Sequence, residues 1–204
     1  MEKIDLHLHT NLSDGVLSPE EVVKLSIKNN CFKISITDHE MVNDYSDLAN
    51  KYGISIISGV EFNSSIRNMH ILGYGIDNMD IINDRMRELR LMNEDICLRV
   101  IELMEKAGYD ISLEKIVDYL IKSNLSYEMI DKRKIVKYLI YKGYVDNVLD
   151  AYNQLIGFNQ EFYVPNYKIS PYEIIDLIKE SGGISVLAHP NTLNLSLDEL
   201  YSKG

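Results

Sequence analysis

Five histidines occur in the 204 residues, and each stands at an end of a stretch whose residue types favour a β-strand. His7 and His9 lie two apart at the end of residues 4–8, so both side chains face the same way. His39 follows the second such stretch in Thr37-Asp38-His39, Glu61 closes the third, His70 opens the fourth and His189 ends the fifth, ahead of Pro190. Asp14 sits just past the first stretch, in Ser13-Asp14-Gly15. An inventory of imidazoles and carboxylates without a thiolate suits Zn²⁺, Mn²⁺ or Fe²⁺; calcium and a thiolate zinc site fit it poorly. There are more ligands than one ion needs, so a centre of two or three divalent metals is expected. Such a centre lowers the pKa of a bound water, supplies a metal-bound hydroxide near neutral pH and clamps the oxygens of an in-line displacement.

The elements that must position these groups are legible in outline. Residues 4–8, 34–37, 54–61 and 69–76 are apolar runs of strand type, separated by helical stretches. Ser18-Pro19-Glu20-Glu21 is a capping box with proline in the first turn, and Val22, Val23, Leu25 and Ile27 supply the apolar positions of a helix running to about Asn30. A second helix is expected over residues 45–51. This β-α-β-α order implies parallel strands with crossover helices. In a parallel α/β barrel, groups at the C-terminal strand ends meet at one mouth. His70, at the start of its strand, is the exception to that scheme.

From residue 77 to 164 the pattern is helical alone. Ile82, Met86, Leu89, Ile96, Val100, Leu103 and Ala107 trace the buried stripe of one long helix ending at Gly108. Shorter helices are expected over 113–122, 131–142 and 147–156. The tyrosines of this segment (Tyr109, Tyr119, Tyr127, Tyr138, Tyr141, Tyr144 and Tyr152) are expected to pack half-buried between helices rather than to stack on bases. The β-α rhythm returns with a helix opened by Ser170-Pro171-Tyr172-Glu173 and stopped at Gly182-Gly183, a strand over 184–188, and a last helix opened by Ser196-Leu197-Asp198-Glu199. The helical block is therefore an insertion between two strands of one α/β unit, with residues 1–76 and 165–204 as the metal-binding domain and 77–164 as the inserted one.

With 21 Lys+Arg against 31 Asp+Glu, the net charge of -10 disfavours tight binding of long nucleic acid. Cys31 and Cys97 cannot make a disulfide framework and are expected as small core residues. The N-terminus has no signal architecture and no apolar run is long enough for a membrane span, so a soluble, cytoplasmic protein is expected.

His7-Leu8-His9-Thr10, Ser13-Asp14-Gly15, Thr37-Asp38-His39, Glu61, His70 and Ala188-His189-Pro190, in this order, resemble the PHP (polymerase and histidinol phosphatase) domain family. The run His70-Ile71-Leu72-Gly73-Tyr74 and the helical insertion resemble its branch of stand-alone phosphoesterases acting on nucleoside 3′,5′-bisphosphates and short 5′-phosphorylated RNA. The resemblance implies a distorted seven-stranded β/α barrel of TIM type with a trinuclear site. His7 and His9 would hold the first metal and Glu61 would bridge to the second. His70 and His189 would complete the second, while Asp14 and His39 would hold the third.

The sequence stops before the family's late Gly-x-Asp-x-His motif, which implies a barrel truncated after its fifth strand and an open edge suited to self-association. Where relatives carry an Arg-Pro-His stretch approaching the substrate phosphate, this chain has Lys132-Arg133-Lys134, followed by Lys137, a candidate phosphate anchor. Asp38, with Glu40 and Asp5, is a candidate for orienting the imidazoles from behind. The alternatives are a histidinol-phosphatase-like phosphomonoesterase, a metal amidohydrolase, which Thr37-Asp38-His39 and Glu61 fit poorly, and an incomplete, inactive metal-binding fragment. The expected partner is a small phosphorylated nucleotide or a short RNA end.

Overall fold

Capping chemistry places most of the helices. Ser18 accepts the Glu21 amide while the Glu21 side chain returns to the Ser18 backbone, and Ser112, Asp131, Asn147 and Ser170 each accept the amide three residues on. In the computed structural model, which describes residues 2–125, 127 and 129–193, the elements run β1 (Lys3–Leu8), α1 (Pro19–Lys28), β2 (Cys31–Ile36), α2 (Ser46–Tyr52), β3 (Ser55–Asn63) and β4 (His70–Tyr74). They continue as α3 (Met79–Lys106), α4 (Leu113–Lys122), α5 (Lys132–Tyr141), α6 (Val148–Ala151) with a π-helical turn at Tyr152–Ile156, α7 (Pro171–Glu180) and β5 (Ile184–Leu187). The helix expected from Ser196 lies outside the described residues. Two compact units result, Met1–Arg87 with Lys168–Gly204, and Glu88–Tyr167, their boundary falling within α3.

The first unit is built on a five-stranded sheet in the order β1-β2-β3-β4-β5. β1, β2 and β3 are parallel, as the β-α alternation requires, but β4 is antiparallel to both β3 and β5. The expectation of parallel strands throughout is corrected here. Only residues 64–69 join β3 to β4, and Ser64 N–H donates to the Met69 carbonyl at 3.2 Å, closing a tight connection. A parallel crossover needs about a dozen residues, so so short a link can only reverse the chain. The reversal brings the start of β4 beside the end of β3, which removes the anomaly of His70.

The sheet is strongly curled. Tyr74 on β4 donates its hydroxyl to the Leu6 carbonyl on β1 at 2.8 Å, although two strands separate them. In a flat sheet those strands would lie about 14 Å apart, beyond a tyrosine's reach. On the outer face Val22 and Val23 of α1 pack with Ile34, Ile36 and Ile54. Ile174, Leu177 and Ile178 of α7 are also buried.

The second unit has its own core, including Val100, Met104, Ile116, Leu120, Ile135 and Leu139. Tyr109 packs edge-on against Tyr144, and Tyr119 against Tyr138; Tyr138 is buried, and Tyr127, Tyr141 and Tyr152 are exposed, rather than half-buried. Cys97 is buried there, and burial pushes its thiol up to about 11. Among the described residues no helix is long and apolar enough to cross a membrane.

Candidate metal centre

Backbone pairing delivers the chemistry-bearing side chains to one end of the curled sheet. His7 ends up beside Glu61 because β1, β2 and β3 are parallel and, despite register shifts along β1, Leu8 pairs with Ile36 at its end, with Thr37 N–H donating to the Leu8 carbonyl at 2.8 Å and His39 bridged to Glu61. His70 lies directly opposite Asn63 in the antiparallel ladder, so it shares a face with Glu61 two residues away. Ala188 N–H donates to the His70 carbonyl at 3.0 Å, which sets His189 next in line. His189 adopts a φ of 27° ahead of Pro190, a backbone conformation that costs on the order of 1–3 kcal/mol.

Glu61 is the hub. Its side chain is only 2% exposed. Oε2 lies 3.0 Å from both His7 Nε2 and His9 Nε2, and Oε1 lies 3.0 Å from both His70 Nδ1 and His189 Nε2. The two Nε2 atoms of His7 and His9 are themselves 3.1 Å apart. His39 Nε2 is 3.7 Å from Oε2 and 3.6 Å from Asp14 Oδ2, while His9 Nδ1 is 3.3 Å from Asp14 Oδ1. Burial would raise the Glu61 carboxyl, but the bonds from His9, His7 and His189 outweigh it and hold it well below the usual carboxylate range. The same hydrogen bond to Glu61 raises His9 above its ordinary value against the opposing effect of burial.

This donor set fits divalent cations. Nitrogen and oxygen ligands held about 2.0–2.1 Å from one ion lie about 2.9–3.4 Å from one another, the spacing of His7, His9, His70 and His189 from Glu61, with His39 a little farther from its carboxylates. Three groups can be drawn: His7, His9 and Glu61; Glu61, His70 and His189; and His9, Asp14 and His39. Each oxygen of one buried carboxylate faces its own pair of imidazoles, the arrangement of a carboxylate bridging two cations. His9 turns one ring nitrogen to Glu61 and the other to Asp14.

Asp38 does not orient an imidazole directly. Its buried carboxylate accepts the Thr10 amide at 2.7 Å, the Thr10 hydroxyl at 2.7 Å, the Ser13 hydroxyl at 2.6 Å and the Tyr45 hydroxyl at 3.4 Å. Burial, followed by the charge of Asp38, pushes the Tyr45 phenol up to about 12. Glu40 accepts from Asn63 at 3.3 Å, Asn63 also lies 3.4 Å from His39 Nδ1, and Asp5 accepts the His7 amide at 3.4 Å. Thr10, Ser13, Tyr45 and Asn63 escaped the sequence reading. The available signal was their hydrogen-bonding side chains, three of them within three residues of a ligand.

The basic run divides. Lys132 Nζ donates to the Val164 carbonyl at 2.5 Å, and burial lowers its pKa. Lys134 donates to the Met129 carbonyl. Arg133 is 79% exposed and pairs with Asp131 at 3.1 Å.

Comparison with known proteins gives a consistent picture. The profile of the PHP domain matches residues 5–180. The 5′-3′ exoribonuclease of Haemophilus influenzae is 28% identical over 204 residues, covering 96% of this chain and 71% of that protein. The 3′,5′-nucleoside bisphosphate phosphatase of Chromobacterium violaceum is 25% identical over 201 residues, covering 96% of this chain and 69% of that protein. A crystal structure from Bifidobacterium adolescentis, described as a metal-dependent phosphoesterase, superposes with a TM-score of 0.67 at 22% identity over 98% of this chain and 73% of that one, a likeness of fold.

Proposed function

The chain belongs to the PHP domain family, enzymes of the metal-dependent phosphoesterase class, and from that premise we propose that it hydrolyses small phosphorylated nucleotides, a nucleoside 3′,5′-bisphosphate or a short 5′-phosphorylated RNA. The observation that carries this reading is the Glu61 carboxylate, each of whose oxygens faces a pair of imidazole nitrogens at 3.0 Å. His7, His9 and Glu61 would hold one cation, Glu61, His70 and His189 a second, and Asp14 and His39 a third. Divalent cations in such a site draw down the pKa of a water and neutralise charge on phosphoryl oxygens.

The chain's own groups set up that chemistry. Glu61, kept ionised by its imidazole partners, supplies the negative charge that collects cations. The five rings carry no negative charge of their own, so a site loaded with divalent cations would be net positive and would attract a phosphate. Of the candidate phosphate anchor Lys132, Arg133 and Lys134, Arg133 keeps most of its side chain exposed beside Asp131, while Lys132 and Lys134 donate to main-chain carbonyls. The five strands are read as part of the seven-stranded barrel that family membership implies, with residues 77–164 as its inserted domain.

The test is phosphate release from a nucleoside 3′,5′-bisphosphate, and mononucleotide release from a 5′-phosphorylated oligoribonucleotide, in Mn²⁺, Zn²⁺ or Fe²⁺. Turnover is expected, and His7→Ala or His9→Ala should abolish it. No turnover with any of these metals, or full turnover in those variants, rejects the assignment.

A further inference from the structure

The 10–15 loop carries Asp14, whose side chain is 62% exposed and so is not held by packing. What holds the loop is polar. Asn11 N–H donates to the Leu17 carbonyl at 2.8 Å, and the amides of Ser13 and Gly15 turn back onto the Thr10 carbonyl at 3.1 and 2.9 Å. The turn is tight enough that a Cβ on Gly15 would lie 2.6 Å from the His9 carbonyl oxygen. Thr10, completely buried, fastens this turn to the sheet through two 2.7 Å bonds to Asp38, and Ser13 adds a third at 2.6 Å. Asp38 is 1% exposed, and its own carbonyl accepts the Glu61 amide at 3.3 Å. One residue therefore ties the loop, by its side chain, to the strand end that bears the hub carboxylate.

The donors are unevenly distributed. The three short bonds all come from the loop, and among the described residues the scaffold contributes only Tyr45 at 3.4 Å. Charge-assisted bonds in a buried setting are the strong class, and here they restrain the loop directly, reaching a ring only through Ser13, whose hydroxyl lies 3.5 Å from His9 Nδ1. His70 and His189 owe their placement to the β3–β4–β5 ladder, which Asp38's side chain does not touch.

We propose that Asp38 is a positioning residue whose buried carboxylate clamps the 10–15 loop and so forms the cation position that includes Asp14, independently of the position shared by Glu61, His70 and His189. This rests on the metal-centre reading above. Loss of the clamp frees Asp14 while leaving the ladder-built group in place.

The experiment uses the full chain and two readouts, amide hydrogen exchange of the metal-free protein and the number of Mn²⁺ ions retained after gel filtration, for Asp38→Ala, Asp38→Asn and Asp14→Ala. In Asp38→Ala, exchange at Thr10, Ser13 and Gly15 should rise about tenfold or more, the scale of losing a charge-assisted hydrogen bond, with β3 and β4 unchanged. That variant should hold one Mn²⁺ fewer than the wild type, as should Asp14→Ala. Asp38→Asn, which keeps an acceptor and whose hydroxyl partners can reorient, should retain the wild-type count. If Asp38→Ala does not fold, the double variant Thr10→Val with Ser13→Ala must show the same local loosening. Unchanged loop exchange, a wild-type Mn²⁺ count in Asp38→Ala, or faster exchange throughout the sheet overturns the proposal. A wild-type protein that binds no Mn²⁺ overturns the metal reading instead, and the exchange data still decide the clamp.

Discussion

Replacing Glu61 by Gln separates the cation-binding role of this carboxylate from its structural one. The amide keeps the shape of the side chain, and its NH₂ can donate to an imidazole lone pair, so the metal-free protein should lose no more than about 1–3 kcal/mol. For cations the change is severe, because one of the two oxygens that face imidazole pairs becomes an amide nitrogen whose lone pair is delocalised into the carbonyl, and the other loses its charge. A group held at about a hundredfold excess of Mn²⁺ over its dissociation constant adds about 2.7 kcal/mol to stability. Two groups share Glu61, so the variant should forfeit roughly 3–5 kcal/mol of Mn²⁺-dependent stabilisation, or about 6–20 °C for a chain of this size. The assay is a thermal melt of each protein with EDTA and with saturating Mn²⁺, comparing the differences rather than the absolute midpoints. A Glu61→Gln protein with the full wild-type Mn²⁺ shift would refute the assignment of this carboxylate to the ions.

Three further outcomes are expected. Gly15→Ala would place a Cβ 2.6 Å from the His9 carbonyl oxygen and 2.9 Å from the Thr10 carbonyl carbon, so it should cost about 1–3 kcal/mol in a urea melt and lower turnover at least about tenfold by displacing Asp14. His9 is raised above 6.5 in the folded, metal-free protein by its bond to Glu61, so its contribution is complete below that value and disappears as pH climbs through the folded one. Melts in EDTA should therefore show the wild type losing stability as the pH rises above 6.5, and His9→Asn should flatten that slope. Leu139, fully buried in the core of the second unit, should cost about 2–5 kcal/mol when cut to Ala, with metal counts unchanged; a lowered Mn²⁺ count would contradict the separation of the two cores.

Much of the molecule could be read without coordinates. Side-chain chemistry that acts locally leaves its mark in the chain itself, so Ser18-Pro19-Glu20-Glu21 and Ser170-Pro171-Tyr172-Glu173 announce their helices, and the spacing of Ile96, Val100 and Leu103 announces the long one. Five histidines at strand ends with two carboxylates announce a cation-binding chemistry. Strand direction is another matter, because alternation along a strand reads the same in either sense; only the short 64–69 link and the ladder it permits turn β4 around and bring His70 to Glu61. Asp38 lies beside a ligand in the chain yet serves Thr10 and Ser13, which are 28 and 25 positions away. The lysines at 132 and 134 look like free charge until folding offers them carbonyls. Periodicity and capping are properties of neighbours along the backbone, whereas the direction of a strand and the partner of a buried polar group are settled only when distant segments meet.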